Sequence, residues 1–430
     1  MASTSSGELR VLTPLSAPVD AEVTVPGSKS YTNRALVCAA LAEGVSVLSG
    51  TLASDDTAAM LDCLGALGIA VQVHDHDGDL IVEGCHGALP RPTATLSCRL
   101  SGTTARFVTP MACLGDGPYR IDGGLPLQAR PMVDQFAALR SLGAEIVSIN
   151  QADHLPVDVR RGSFRGGSVQ VPGNVSSQFL SGLLLAAPCF ADGIQVQVTT
   201  ELVSRSYVDL TLQTMHAFGA TTTTTDGQQF TVAPGGYRAG PYAVEPDASA
   251  ASYFFAAAAL TAGRVRVNGL RRSSQQGDVA FTDILARMGC TVTDTPQGIE
   301  VTGPEQLRGV EVDMQDCSDV AQTLAALAPF ADSPTRITGI GFIRRKETDR
   351  IAAMVAELNR CGITAVEEPD GVVIHPGTPK PAHIRTYDDH RMAMSFALVG
   401  LRSPGIAIEH PSCVAKTFPG YWTALERLRR

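Results

Sequence analysis

The feature that most limits how this chain folds is its likeness to itself. A polar turn followed by an apolar helical run occurs at residues 26–44, 100–117, 172–193, 246–263, 316–333 and 387–405. The interval is about 72 residues each time, the mark of one structural unit used repeatedly. After each of the first five copies comes a second helical pattern, at 55–68, 132–143, 207–219, 278–289 and 348–362, ending in a Gly-containing turn. Short β-rich pairs joined by Asp/Gly turns then follow, such as 70–73 with 80–82 and 365–368 with 371–374. An unrelated string of βα elements would not keep a constant period. The sixth copy ends the chain without its hairpin, and the opening segment 11–25 is expected to supply the missing strands, placing both termini in one domain.

Six units divide most simply into three and three. A chain of 430 residues exceeds what one core usually serves, and Pro and Gly cluster (Pro234, Gly235, Gly236, Gly240, Pro241) just ahead of Glu245-Pro246. The predicted domains are therefore 26–245, inserted, and 1–25 plus 246–430, discontinuous. Each unit is predicted to bury its apolar first helix and leave its second partly wet.

Composition narrows the class. With 44% hydrophobic and 18% charged residues, the chain reads as a turn-rich globular enzyme. A net charge of -9 argues against nucleic acid or an anionic membrane as a general partner, while leaving room for a small cationic pocket. The ten cysteines (Cys38, Cys63, Cys85, Cys98, Cys113, Cys189, Cys290, Cys317, Cys361 and Cys413) form no CxxC pair or regular spacing and are expected to be reduced core residues. With no apolar leader in residues 1–10 and no run long enough to span a bilayer, a cytoplasmic protein is expected.

The helix starts carry the chemistry. In Pro26-Gly-Ser-Lys-Ser-Tyr-Thr-Asn-Arg34, the hydroxyls of Ser28, Ser30 and Thr32 suit capping, and Lys29 and Arg34 add charge where a helix N-terminus already favours an anion. Arg106, Arg130, Arg205, Lys346, Arg350, Arg391 and Lys416 recur at equivalent places, with Ser101, Thr103, Ser176, Ser177, Gln178 and Ser204. If the buried helices of each half pack in parallel, their N-termini share one face, and two such faces across a hinge make an anion-attracting cleft. Carboxylates stand among the cations: Asp55, Asp56, Asp247, Asp319, Glu347, Asp349, Asp388 and Asp389. In Arg345-Lys-Glu-Thr-Asp-Arg350, Glu347 and Arg350 are three apart and are predicted to share a helix face. A Glu held by Arg and Lys suits proton transfer while the cations grip a phosphate. HExxH, zinc-type Cys/His spacing, GxSxG and a dinucleotide GxGxxG are missing, and His74 and His76 lie in a polar hairpin, so neither a metal nor a redox cofactor is expected.

At these residues the chain resembles the enolpyruvyl transferases, and among them the EPSP synthase family. The resemblance runs from about residue 11 to the C-terminus. It is carried by PGSKSYTNRAL (26–36), SGTTARF (101–107), ARP (129–131), VSSQFL (175–180), RKETDRI (345–351), DDHRMAM (388–394) and AKTFPGYW (415–422). It implies two inside-out α/β domains, each of three βαβαββ units, with the active site in the cleft between them. It also implies transfer of the enolpyruvyl group of phosphoenolpyruvate to the 5-hydroxyl of shikimate 3-phosphate, with release of phosphate and no cofactor. The partners would be those small molecules alone, and a monomer is expected.

Carried over by motif, the resemblance implies that Lys29, Ser30, Arg34, Ser176, Ser177, Gln178, Ser204 and Tyr207, with Asp319 and Lys346, hold shikimate 3-phosphate. Lys29, Gly102, Arg130, Gln178, Arg350, Arg391 and Lys416 would hold phosphoenolpyruvate, and Lys29, Asp319 and Glu347 would be catalytic. Two positions depart from the pattern of many relatives: Leu100 and Phe342 each replace an Asn. Three other readings compete. The sister enzyme acting on UDP-N-acetylglucosamine uses a reactive Cys in a mobile loop, which residues 114–122 lack. A transferase acting on a shikimate analogue would fit the two Asn losses, and a non-catalytic phosphometabolite-binding protein would need neither Asp319 nor Glu347.

Overall fold

The computed structural model describes residues 8–74 and 78–429, so His76 lies outside the described residues. The chain forms two compact units, one of the segment up to Pro26 together with everything from Pro246 onward, the other Gly27–Glu245.

In the Gly27–Glu245 unit the helices are α1 (Lys29–Leu41), α2 (Asp55–Ala66), α3 (Gly102–Ala112), α4 (Leu125–Gln128), α5 (Val133–Ser141), α6 (Ser177–Ala186) and α7 (Arg205–Ala217). Three four-stranded sheets surround them, each with the same order. An outer strand runs parallel to the second, and the third and fourth are antiparallel. These are Pro241–Ala243, Val45–Ser49, Leu80–Glu83, Val71–Val73; then Ala94–Ser97, Tyr119–Asp122, Val157–Arg160, Glu145–Ser148; then Gly167–Val171, Ile194–Val198, Gln229–Val232, Thr222–Thr225. Ile194, Val196 and Val198 face the core while Gln195 faces out, the period-two alternation of a sheet covered on one side. Helices α1, α3 and α6 are buried almost all round, so their apolar runs carry no polar stripe. Leu36, Val37 and Leu41 are fully inaccessible, each contributing about 1.5–3 kcal/mol on burial.

The second unit holds α8 (Ala248–Thr261), α9 (Phe281–Arg287), α10 (Ala321–Leu327), α11 (Arg350–Arg360), α12 (His390–Arg402) and α13 (Tyr421–Arg427). Two of its sheets repeat the order above: Asp20–Val23, Arg264–Asn268, Gly298–Thr302, Thr291–Thr295, and Glu311–Asp313, Thr335–Thr338, Gly371–Ile374, Ala365–Glu368. In the third, Ala382–Ile384 runs parallel to Ile406–Glu409, and Leu9–Val11 adds antiparallel to that strand. The opening segment thus gives one strand to the last sheet and another, Asp20–Val23, to the sheet of Arg264–Asn268. Helices α8, α10 and α12 are the buried ones, with Phe254, Leu324 and Phe396 at 0% exposure. Helix α11 alternates buried Ile351, Met354 and Leu358 with exposed positions, as a half-wet second helix should.

Every described cysteine is a free thiol. Burial pushes the thiols of Cys38, Cys189, Cys290 and Cys413 up to about 12. No helix among the described residues is long and apolar enough to cross a membrane.

Candidate active site

In the Gly27–Glu245 unit the predicted residues gather at the starts of α1, α3, α6 and α7. Ser28 caps α1, its hydroxyl accepting from the Tyr31 N–H at 3.5 Å. Thr32 does not cap the helix: its hydroxyl donates back to Ser28 O at 2.9 Å and accepts from the Leu52 N–H at 3.1 Å. Lys29 Nζ lies 3.3 Å from Asp56 Oδ2, at the start of α2, with both side chains largely buried. Ser30 beside it is half-buried.

Arg34 is placed differently from a surface cation. It is 2% exposed, and its guanidinium donates to Thr211 Oγ1 (2.7 Å), Ser30 O (3.0 Å), Ser181 Oγ (3.4 Å) and Tyr207 O (3.0 Å), with its carbon 5.3 Å from the Phe107 ring centroid. Burial lowers its pKa to about 10, against the opposing influence of Tyr207 and Tyr31. Arg34 therefore ties α1 to α6 and α7, and through Ser30 O and Tyr207 O it fixes two of the predicted ligand-binding residues. Ser204 precedes α7 with φ at 53°, in the left-handed region, and its buried hydroxyl oxygen has no hydrogen-bond partner within the chain.

Gln178, at the start of α6, is clamped from α3. Its Oε1 accepts from Arg106 Nη1 at 2.7 Å and its Nε2 donates to Thr103 Oγ1 at 3.2 Å, while the Arg106 guanidinium stacks 5.2 Å from the Phe179 ring. Ser176 caps α6 by accepting from the Gln178 N–H at 3.3 Å, and Ser177 is buried behind it. Gly102 opens α3 directly against two guanidinium groups. A Cβ there would lie 2.7 Å from Arg106 Nη1 and 3.1 Å from Arg130 Nη1. Leu100 is 48% exposed and adds no polar contact.

The other unit builds an alternating chain of charge around Arg350, which is 2% exposed. Asp319, in the 3-10 turn Gln315–Val320, bridges two arginines: Oδ1 accepts from Arg350 Nη1 at 3.0 Å and Oδ2 from Arg391 Nη2 at 2.6 Å. Glu347 likewise bridges Arg350 Nη2 (2.8 Å) and Lys416 Nζ (2.8 Å). The remaining edge of Arg350 meets Asp389, with Nε donating to Oδ2 at 2.7 Å. Burial works against the Arg350 charge, but Asp389, Glu347 and Asp319 outweigh it and hold the guanidinium firmly protonated. Asp389 also caps α12, its Oδ1 accepting from the Arg391 N–H at 2.9 Å, so one carboxylate both aims the Arg350 guanidinium and fixes the backbone at Arg391. Lys346 Nζ sits 5.7 Å from the Phe342 ring centroid, so Phe342 offers a π-face where the expected Asn would offer an amide.

One expectation needs correction. Glu347 is not on a helix face with Arg350, because Asp349 caps α11 by accepting from the Ala352 N–H at 3.0 Å and the helix begins at Arg350. The ion pair forms from the irregular segment before the cap. Asp56, Thr103, Arg106 and Asp389, noted in the sequence only as residues at helix starts and given no ligand or catalytic role, organise these clusters, and so does Ser249, which nothing in the sequence marked. Asp389 and Arg106 stand inside the DDHRMAM and SGTTARF motifs, two residues before Arg391 and four after Gly102.

What such groups can do is bind anions and move protons. Arg391 and Lys416 present donors suited to phosphate and carboxylate, and carboxylates such as Asp319 and Glu347 are of a type that can give or take a proton.

Comparison with known proteins bears on what those anions are. The EPSP synthase (3-phosphoshikimate 1-carboxyvinyltransferase) family matches residues 15–425. The chain is 47% identical over 410 residues to the 3-phosphoshikimate 1-carboxyvinyltransferase of Nostoc sp., covering 95% of this chain and 96% of that one. It is 43% identical over 416 residues to that of Serratia proteamaculans, covering 96% and 97%. Among solved structures, an EPSP synthase from Acinetobacter baumannii superposes with a TM-score of 0.83 at 27% identity, covering 98% of both chains.

Proposed function

The chain belongs to the EPSP synthase family, and from that premise we propose how its own residues carry out the reaction. The enzyme transfers the enolpyruvyl group of phosphoenolpyruvate to the 5-hydroxyl of shikimate 3-phosphate and releases phosphate. Shikimate 3-phosphate is held by Ser30, Ser176, Ser177, Gln178, Ser204 and Tyr207, with Lys29, Asp319 and Lys346, and Arg34 sets the positions of Ser30 and Tyr207. Phosphoenolpyruvate is held by Lys29, Arg130, Gln178, Arg350, Arg391 and Lys416, with Gly102 leaving room beside Arg130.

The observation that carries this reading is the pairing of Asp319 and Glu347 on opposite edges of Arg350, each shared with a second cation. An arriving phosphate competes for Arg350 and Lys416, which lowers the cost of protonating Glu347. Protonated Glu347 gives its proton to the methylene carbon of phosphoenolpyruvate, C2 becomes electrophilic, and the acceptor hydroxyl attacks it while Asp319 takes the hydroxyl proton. A tetrahedral adduct results. Glu347 then removes a proton from the new methyl group, the C2–O bond to phosphate breaks as the leaving phosphate takes the proton held by Asp319, and the double bond is restored. Lys29 and the arginines neutralise charge as it develops on the leaving group.

Phosphate release from phosphoenolpyruvate, measured separately with shikimate 3-phosphate and with UDP-N-acetylglucosamine, tests the acceptor. Turnover with the first alone is expected, and turnover with the second alone contradicts the reading. The same reading takes the two units as the domains and the enzyme as a cytoplasmic monomer with small-molecule partners only. Its net charge of -9 supports the exclusion of nucleic acid, and sedimentation velocity tests the monomer.

A further inference from the structure

The turn of Gln276 and Asp278 closes over the first turn of α8. Gln276 Oε1 accepts from the Ala248 N–H at 3.1 Å, and its amide donates to Pro246 O at 2.8 Å. Two residues on, Asp278 is 5% exposed, with Oδ2 hydrogen-bonded to Ser249 Oγ and Oδ1 buried without a hydrogen-bond partner. Ser249 Oγ also accepts from Arg391 Nη2 at 3.4 Å, the nitrogen that binds Asp319. Ser249 itself is only half-buried, so a ligand on Arg391 can reach its hydroxyl.

A carboxylate sealed from water with one oxygen unpartnered is costly, and protonation removes most of that cost. Burial first, then the charge of Asp319, push Asp278 up to about 7, against Arg391 and the Ser249 hydrogen bond. Asp247 adds to the upward push, and the Cys317 thiol, itself raised by burial, faces the same carboxyl. An anion settling on Arg391 weakens the one full charge that favours the ionised form.

We propose that Asp278 is the neutral carboxylic acid when phosphoenolpyruvate is bound, donating from Oδ2 to Ser249 Oγ and so turning the Ser249 hydroxyl hydrogen toward the anion on Arg391. Asp278 is then a positioning residue and Ser249 a ligand-binding one. When Asp278 ionises, the hydrogen bond reverses, because the serine proton must point at the carboxylate. The anion loses a donor and gains a nearby negative charge. The inference rests on Arg391 holding phosphoenolpyruvate.

The test is KM for phosphoenolpyruvate at saturating shikimate 3-phosphate, at pH 6.5 and 8.5, in wild type, Asp278→Asn, Ser249→Ala and Arg391→Ala. The substrate's own ionisation is common to all four. Between the two pH values Asp278 passes from mostly neutral to mostly ionised, so wild-type KM should rise about tenfold or more. In Asp278→Asn the carboxamide keeps donating to Ser249 and cannot ionise, so its two KM values should agree within about twofold. Ser249→Ala should raise KM at pH 6.5 and leave it near wild type at pH 8.5, where the hydroxyl is already withdrawn. A rise in Asp278→Asn parallel to wild type overturns the proposal. Should Asp278→Asn fold poorly, an equal effect of Ser249→Ala at both pH values overturns it instead. An unchanged KM in Arg391→Ala would remove phosphoenolpyruvate from Arg391, a separate failure.

Discussion

Arg350 Nε donates to Asp389 Oδ2 at 2.7 Å, with the two side chains 2% and 0% exposed. This pair is the fixed part of the charge chain, since water reaches neither member and each is committed to partners on other elements. The more accessible carboxylates, Asp319 and Glu347, are then aimed by a guanidinium that cannot swing away. Asp389 acts from behind: it caps α12 at the Arg391 N–H and orients the Arg350 guanidinium without itself meeting solvent.

Removing Asp389 should therefore harm stability before it harms chemistry. Asp389→Ala leaves the buried Arg350 short of a partner and α12 without its cap, a loss of about 3–5 kcal/mol for such a buried pair. Urea denaturation checks this. A loss under about 1 kcal/mol would mean that the other carboxylates suffice.

Arg34 makes the same point in the Gly27–Glu245 unit. Its fork of donors spans α1, α6 and α7, a geometry that a lysine ammonium does not reproduce. Arg34→Lys should cost about 1–3 kcal/mol of stability through the lost guanidinium hydrogen bonds to Tyr207 O and Thr211 Oγ1, and should raise KM for shikimate 3-phosphate more than that for phosphoenolpyruvate. A selective effect on phosphoenolpyruvate would contradict this placement.

A methyl group at residue 102 has nowhere to go except into guanidinium groups. Because the Cβ of Gly102→Ala would stand 2.7 Å from Arg106 Nη1 and 3.1 Å from Arg130 Nη1, one or both must retreat. Steady-state kinetics should show KM for phosphoenolpyruvate raised about tenfold or more, with kcat reduced less, the signature of lost ground-state binding. A fall in kcat at unchanged KM would place Gly102 in transition-state contact instead.

Phe342 offers a milder test. Its ring holds the Lys346 ammonium at 5.7 Å, an interaction of about 0.5–1 kcal/mol when exposed. Phe342→Leu should raise KM for shikimate 3-phosphate about two- to fivefold. No change would leave Lys346 positioned by its other contacts.

The helices and their starts were legible because the signals are local: Ser28, Ser176, Asp349 and Asp389 cap helices through bonds to N–H groups two or three residues on. Motif residues such as Lys29, Gln178, Glu347 and Arg391 could be picked out for the same reason. What sequence did not give was the partner of each. Arg34 reads as one more cation at a helix start, and only packing against residues about 150–180 positions away makes it a buried brace. Asp278 lies in a different repeat from the Arg391 it influences, and neither periodicity nor spacing connects them. Glu347 was assigned to a helix because three-residue spacing is ambiguous until the capping residue is known.

In the proposed reaction Asp319 and Glu347 transfer protons and do not merely organise the cations around them. Carboxamides keep shape and hydrogen-bonding reach but cannot carry the proton, so kcat for phosphate release with shikimate 3-phosphate in Asp319→Asn and Glu347→Gln is the most direct measurement. Each variant should show kcat about 10²–10⁴-fold lower, with KM for both substrates changed far less. Near-normal kcat in both variants would contradict it.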